Sequence, residues 1–321
     1  MIPIIDLHCD TIMALYKNRE KKLVENDLHI DINKLIKGNY LAQVFAMFVF
    51  LKEGNPFNTC DEMLNRFYEE LEENKDKLGL ALNYEDLIKN QEKGLVNAIL
   101  SIEEGGVIDG ILSNVDYFYD RGVRMICLNW NFYNAIGYPN IKDMKNPNFK
   151  EPNTEFGLTK FGIEVCKRME KLGMIIDVSH LSDKGFWDVY NNTTKPFIAS
   201  HSNARSVCNH VRNLTDEMIL ALKERGGVMG LNFCTNFMNE DSDLTYISDI
   251  VKHAMHIIKV GGIDILAIGT DFDGIPHTTE IKDASEMQKL YDAFKEAGLS
   301  DEDIEKIFYK NFLRVFKEVC F

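Results

Sequence analysis

Met174-Ile175-Ile176-Asp177-Val178-Ser179-His180 and, beyond a polar turn and a short helical segment, Pro196-Phe197-Ile198-Ala199-Ser200-His201 set the architecture of this 321-residue chain. Each is an apolar, partly β-branched run closed by polar residues, the pattern of a buried parallel strand. In each, a histidine is the first large polar side chain after the apolar run, so it falls at the strand's C-terminal end. The interval of 21 residues (201 − 180) leaves room for loop, helix and loop between consecutive parallel strands. Two successive βα units thus present a histidine on one rim.

Outward from this pair the pattern repeats. Residues 2–7, 41–51, 95–102 and 124–128 are apolar runs before it, and residues 227–233 and 265–270 follow it. Helical periodicity fills the intervals, with Phe161, Val165, Met169 and Leu172 marking an amphipathic helix that Gly173 stops. Residues 12–37 read as helical with a break near Asn26-Asp27, and residues 60–90 as one charged helix. Helices are also expected near 215–225 and 245–260, with two more after 284. Eight strands alternating with helices predict an α/β fold, a (β/α)8 barrel, and no composition break or repeat divides residues 1–321 into more than one domain. The Asn-, Pro- and Gly-rich loop of residues 129–153 is long for a compact domain and reads as a lid or binding loop.

Composition narrows the function. With 50 acidic against 36 basic residues the net charge is −14, which argues against nucleic acid and acidic membrane surfaces as partners. No run approaches the roughly 18 apolar residues of a membrane span, and the N-terminus lacks the basic start and apolar core of a signal peptide. The seven cysteines are scattered without a C-x-x-C pair, which fits reduced thiols and a cytoplasmic location. Phosphate-binding glycine loops and the G-x-S-x-G nucleophile elbow are absent from the sequence.

In a (β/α)8 barrel the chemistry lies at the C-terminal strand ends. Those ends carry His8 and Asp10, Glu103, His180, His201 and Asp271. His8 and Asp10 are two apart, so they share a face that Cys9 does not. Imidazoles and carboxylates gathered on one rim call for a divalent cation; the donor set suits Zn²⁺, with Mn²⁺, Co²⁺ or Fe²⁺ as alternatives. The number of ligands exceeds what one tetrahedral ion uses and favours two ions bridged by a carboxylate, with a bridging hydroxide as nucleophile.

The ordered segments His8-Cys9-Asp10, Ile102-Glu103-Glu104-Gly105-Gly106, Asp177-Val178-Ser179-His180, Ser200-His201-Ser202-Asn203-Ala204, Arg212-Asn213 and Gly269-Thr270-Asp271-Phe272-Asp273-Gly274 resemble the membrane (renal) dipeptidase family of the amidohydrolase superfamily. The resemblance spans nearly the whole chain. It implies a zinc-dependent dipeptidase with two Zn²⁺ per chain: His8 and Asp10 on one ion, His180 and His201 on the other, and Glu103 bridging. It further implies that Asp271 manages protons and that Arg212 binds the free carboxylate of a dipeptide, as a planar two-pronged donor would. A homodimer is expected from the family alone. The histidine expected after the fourth strand is replaced here by Trp130, which bears on carbonyl stabilisation and substrate range. No membrane anchor signal follows Glu318. The alternative readings are another binuclear amidohydrolase, acting on N-acyl amino acids or cyclic amides, and a metal-loaded binding protein without turnover.

Other polar residues take plainer readings. Glu104 is expected in a surface turn, Asp273 as a cap before Gly274, and Asp177 as a buried partner of a ligand histidine. His253 and His256 are expected to be solvated, and His29, His210 and His277 carry no pattern, although His210 is near Arg212. Cys9 and Cys208 read as small core residues, and residues 69–77 as a solvated helix face.

Overall fold

The structure, a computed structural model, describes residues 2–145, 147–276 and 278–321. His277 lies outside the described residues. Eight parallel strands close into a ring: β1 (Ile4–Cys9), β2 (Tyr40–Phe48), β3 (Val96–Glu103), β4 (Val123–Cys127), β5 (Ile175–Asp177), β6 (Ile198–Ala199), β7 (Val228–Leu231) and β8 (Leu266–Ile268). Sequential neighbours pair around the ring, and Asp6 opposite Ile268 joins β1 to β8. The expected barrel is therefore present. Its paired segments β5 and β6 are shorter than their apolar runs because the chain leaves the ladder before each histidine, though Val178 N–H still donates to the Ile198 carbonyl at 2.8 Å.

At least one side chain from each strand (among them Ile5, Val44, Ile99, Met125, Ile175, Ile198, Val228 and Ala267) joins a buried cluster with Phe312, Phe316 and Val319 of the C-terminal helix. The barrel interior is thus a packed core plugged by the chain's end. A larger cluster, with Phe67, Phe118, Val165 and Phe186, lies between the strands and the surrounding helices.

Three expectations change. Residues 12–37 form helices only at Thr11–Lys17 and Ile32–Lys37. The intervening chain is held by the helix Pro56–Glu73, where Arg66 donates to the Lys21 carbonyl and Glu70 accepts from Leu23 N–H at 2.7 Å. Glu70 is consequently buried and paired with Arg66 at 2.6 Å, so residues 69–77 are not wholly a solvated face. Residues 60–90 are not one helix either: after Glu73 the strand Leu78–Leu80 pairs with the start of β3, and a second helix, Tyr84–Glu92, begins behind the Asn83 cap. Gly79 permits this, because a Cβ there would lie 2.5 Å from the Asn90 amide carbon. The helix Lys160–Leu172 ends at Gly173 in the left-handed region (φ 80°), as its sequence predicts. No helix among the described residues is long and apolar enough to cross a membrane.

Candidate metal centre

The ends of β1, β3, β5, β6 and β8 bring the five expected ligands and Asp271 together. Glu103, the last residue of β3, lies between two groups. Its Oε2 is 3.2 Å from His8 Nε2, and its Oε1 is 3.0 Å from His180 Nε2 and 3.5 Å from His201 Nε2. On the first side His8 Nε2 is also 3.6 Å from Asp10 Oδ2 and 4.0 Å from Asp271 Oδ1. On the second, His180 Nε2 and His201 Nε2 are 3.1 Å apart. All of these side chains are buried or nearly so.

The outward nitrogens of the second pair are accounted for. His180 Nδ1 is 2.9 Å from Asn131 Oδ1, so the ring donates there. Ser200 Oγ donates to Asp177 and is 2.7 Å from His201 Nδ1, from which it accepts. Both Nε2 atoms therefore carry lone pairs. Two lone pairs at 3.1 Å repel unless a cation lies on both, and that spacing is near the roughly 3.3 Å between imidazoles on one tetrahedral zinc with bonds of about 2.0–2.1 Å. On the first side, buried His8 Nε2 and Asp10 Oδ1 have no hydrogen-bond partner. The residues fit metal binding on both sides of Glu103.

Charge balance agrees. Burial opposes the Glu103 carboxylate, but the His8 charge and the three imidazoles hold it well below the usual range. Burial also opposes the His8 imidazolium, yet Glu103 and Asp10 raise it well above the ordinary value. A proton on His8 thus fills the place between carboxylates that a cation would take. Burial first, and then the Glu103 charge, pushes Asp10 up to about 8. Burial and the charge of Arg212 push His180 down to about 3, and burial and the charge of His8 drive His201 well below its usual value. Asp271 rises to about 6, mainly by burial.

The backbone is bent to make this site. His180 (φ 67°), Asp271 (φ 63°) and Glu104 (φ 94°) all lie in the left-handed region, a cost that the surroundings must hold in place. Gly274 is required beside them, since a Cβ there would stand 2.0 Å from Asp10 Oδ2 and 2.6 Å from Asp271 Oδ1.

Several supporting residues escaped sequence reasoning. Asn232, just past β7, donates from Nδ2 to Asp271 Oδ2 at 2.8 Å and leaves Oδ1 on the side of His8 Nε2. Glu104 is fully buried instead of lying in a surface turn: it accepts from Gly106 N–H, Trp130 N–H and Asn134 Nδ2, and burial pushes it up to about 7. Asp177 reaches His201 only through Ser200, while its Oδ1 accepts from Ser179 and Ser200 N–H at 2.9 Å each. His253 is buried, not solvated; its Nδ1 accepts from Ala204 N–H and its Nε2 donates to the Met238 carbonyl. His256 is half-buried and faces Asp216 at 2.8 Å. His29 is buried against Asp273, which also accepts from Thr11 Oγ1 at 2.6 Å, so Asp273 does more than cap a turn. Cys9 and Cys208 are buried.

A cavity of about 220 Å³ opens onto Asp10, Glu103, His180 and Asp271, with Met13, Phe48, Trp130, Phe237 and Ile275 as apolar walls. Trp130, in the position where the resemblance places a histidine, meets Phe48 edge-on at 5.0 Å. A larger cavity of about 410 Å³ lies beyond Asn131 in the 130–156 loop and holds none of the ligands. That loop is tied down by Asn140, whose Nδ2 donates to Asp183 Oδ1 and the Val211 carbonyl, and by Val211 N–H on the Phe149 carbonyl. Arg212 is buried, donates from Nη2 to the His201 carbonyl at 3.3 Å and leaves Nε without a partner. It does not line the 220 Å³ cavity; its guanidinium carbon is 5.3 Å from the ring of Phe237, which does.

Comparison with known proteins places these features. The family model of membrane dipeptidase, peptidase family M19, matches residues 1–321. An uncharacterized protein of the pqqA 5′ region of Klebsiella pneumoniae is 34% identical over 271 residues, 83% of this chain and 98% of that protein. An uncharacterized dipeptidase of Schizosaccharomyces pombe is 30% identical, covering 98% of this chain and 80% of its own length. Dipeptidase tcpJ of Claviceps purpurea is 27% identical, with 91% and 69% covered. Among solved structures, a metallopeptidase of Rhodobacter sphaeroides bound to a phosphinate mimic of L-Ala-D-Ala superposes with a TM-score of 0.90 at 23% identity, covering 99% of both chains. The family-M19 metallopeptidase dipeptidase AC also gives 0.90, at 24% identity and 99% of both chains.

Proposed function

Because the chain belongs to peptidase family M19, the membrane dipeptidases, and is a metallo-dipeptidase, we propose that it hydrolyses dipeptides bearing a free C-terminal carboxylate at a site built for two zinc ions. The observation that carries this reading is Glu103, whose two oxygens are divided between the His8–Asp10 side and the His180–His201 side. When bound, the two ions supply Lewis acidity toward the scissile carbonyl and lower the pKa of water.

The remaining work belongs to the chain itself. Asn131 and Ser200 fix the tautomers in which His180 and His201 present Nε2. Asp271, raised to about 6 and steadied by Asn232, takes the proton of the attacking water and returns it to the leaving amine. Trp130 and Phe48 wall the cavity against solvent. Arg212, a buried cation with no carboxylate partner among the described residues, receives the substrate carboxylate once the Phe237 ring gives way. The ligand of the Rhodobacter neighbour, a phosphinate mimic of L-Ala-D-Ala, makes that dipeptide the first substrate to try.

The test compares Ala-Ala with Ala-Ala amide in the zinc-loaded protein. Preference for the free acid that disappears in Arg212→Met supports the reading. Equal turnover of acid and amide by the parent protein would remove the carboxylate requirement and move the reading to the cyclic-amide branch of the alternative.

A further inference from the structure

The catalytic cavity, at about 220 Å³, is smaller than the roughly 300 Å³ at which small-molecule pockets usually begin. A dipeptide with small side chains fills it, and a larger one needs more room. A second cavity of about 220 Å³ adjoins it, and Met13 and Phe48 line both. Tyr16, Phe50 and Met63 make the second cavity's apolar walls, while Lys17 and Glu53 lie on its exposed rim.

The two dividing side chains are unequal. Phe48 ends β2 and is held edge-on to Trp130 (5.0 Å, 68°), whose own N–H is fixed by buried Glu104. Met13 is half-buried on the short helix Thr11–Lys17, and its unbranched thioether turns about three bonds at little cost. Met13 is the member that can yield.

The ring of strands indicates which part of the substrate meets it. Arg212 lies on the segment that follows β6, whereas Met13 and Phe48 belong to β1–β2, and β2 is four places from β6 in the ring of eight. With the substrate carboxylate on the Arg212 side, the N-terminal residue faces Met13. We propose that Met13 is a movable partition, and that the adjoining cavity receives the side chain of the substrate's N-terminal residue when it is large and apolar, as in Leu-, Met- or Phe-initiated dipeptides. This rests on the dipeptidase reading and on Arg212 as the carboxylate anchor.

The test measures kcat/KM of the zinc-loaded protein for Ala-Ala, Leu-Ala and Phe-Ala, and for Ala-Leu and Ala-Phe, in the parent, Met13→Trp and Met13→Ala. Met13→Trp makes the partition rigid and is expected to lose Leu-Ala and Phe-Ala by about tenfold or more relative to Ala-Ala. Met13→Ala opens it and is expected to raise Phe-Ala relative to Ala-Ala, and it decides the matter if the tryptophan variant does not fold. The Ala-Leu and Ala-Phe rates should follow Ala-Ala in both. Uniform changes, or none, would overturn the partition. Changes confined to Ala-Leu and Ala-Phe would overturn the assignment to the N-terminal residue and point to a misplaced Arg212 anchor. A loaded parent that cleaves no dipeptide would remove the dipeptidase reading and this inference together.

Discussion

Replacing Ser200 with alanine removes one hydroxyl from the relay between Asp177 and His201. In the parent, that oxygen donates to Asp177 and stands 2.7 Å from His201 Nδ1, which locks the proton on Nδ1 and leaves Nε2 for a metal. Asp177 keeps its bonds from the N–H groups of residues 179 and 200, so the ends of β5 and β6 remain joined. What changes is the histidine. His201 is fully buried, so a lost acceptor on Nδ1 costs about 1–3 kcal/mol and the ring is no longer fixed in its metal-binding tautomer. Loss of such a supporting partner lowers metal affinity by about 10–100-fold, equivalent to about 1.4–2.7 kcal/mol. Competition of the loaded protein against a chelator reads that loss directly, and it should fall on the ion held by His180 and His201. Melting of the metal-free variant reports the structural cost separately. Unchanged metal affinity beside a lowered melting temperature would refute the reasoning, because the relay would then serve only the fold.

Three further outcomes follow from the geometry. Asp271→Asn keeps the Asn232 contact side of the residue but cannot carry a proton, so kcat should fall by about 10²–10⁴-fold with metal content unchanged; full turnover with intact metal would end the proton-transfer role. Trp130→Ala should leave metal content intact while opening the cavity wall, raising KM for Ala-Ala more than it lowers kcat; steady-state kinetics separates the two. His253, held neutral by burial, titrates near 4 in the folded chain against 6.5 when unfolded. The unfolded chain therefore binds the extra proton first, and stability present above pH 6.5 is lost as pH falls toward 4, by about 3 kcal/mol. His253→Gln should flatten the dependence of melting temperature on pH across that window, and an unchanged slope would contradict the assignment.

The barrel and the cluster of polar side chains on its rim were legible because parallel strands, covered on both faces, leave continuous apolar runs, and because the polar residues gather where those runs stop. His8, Asp10, Glu103, His180, His201 and Asp271 each close such a run. Their supports were not legible. Asn131 and Asn232 are small amides whose partners lie 49 and 39 residues away, and nothing local marks them. Glu104, followed by two glycines, has the composition of an exposed turn; only the fold shows that the turn is buried under the 128–134 segment. His253 shares a helix face with His256, but the fold buries one against Ala204 and leaves the other half-exposed beside Asp216. The strand Leu78–Leu80 is too short for periodicity to separate from the helices flanking it.

Metal content per chain, measured together with Ala-Ala hydrolysis before and after chelation, tests the central claim most directly. The divided carboxylate of Glu103 calls for two ions per chain, with turnover lost on chelation and restored by Zn²⁺. A fully active protein holding a single ion, or activity that survives complete removal of metal, would contradict it.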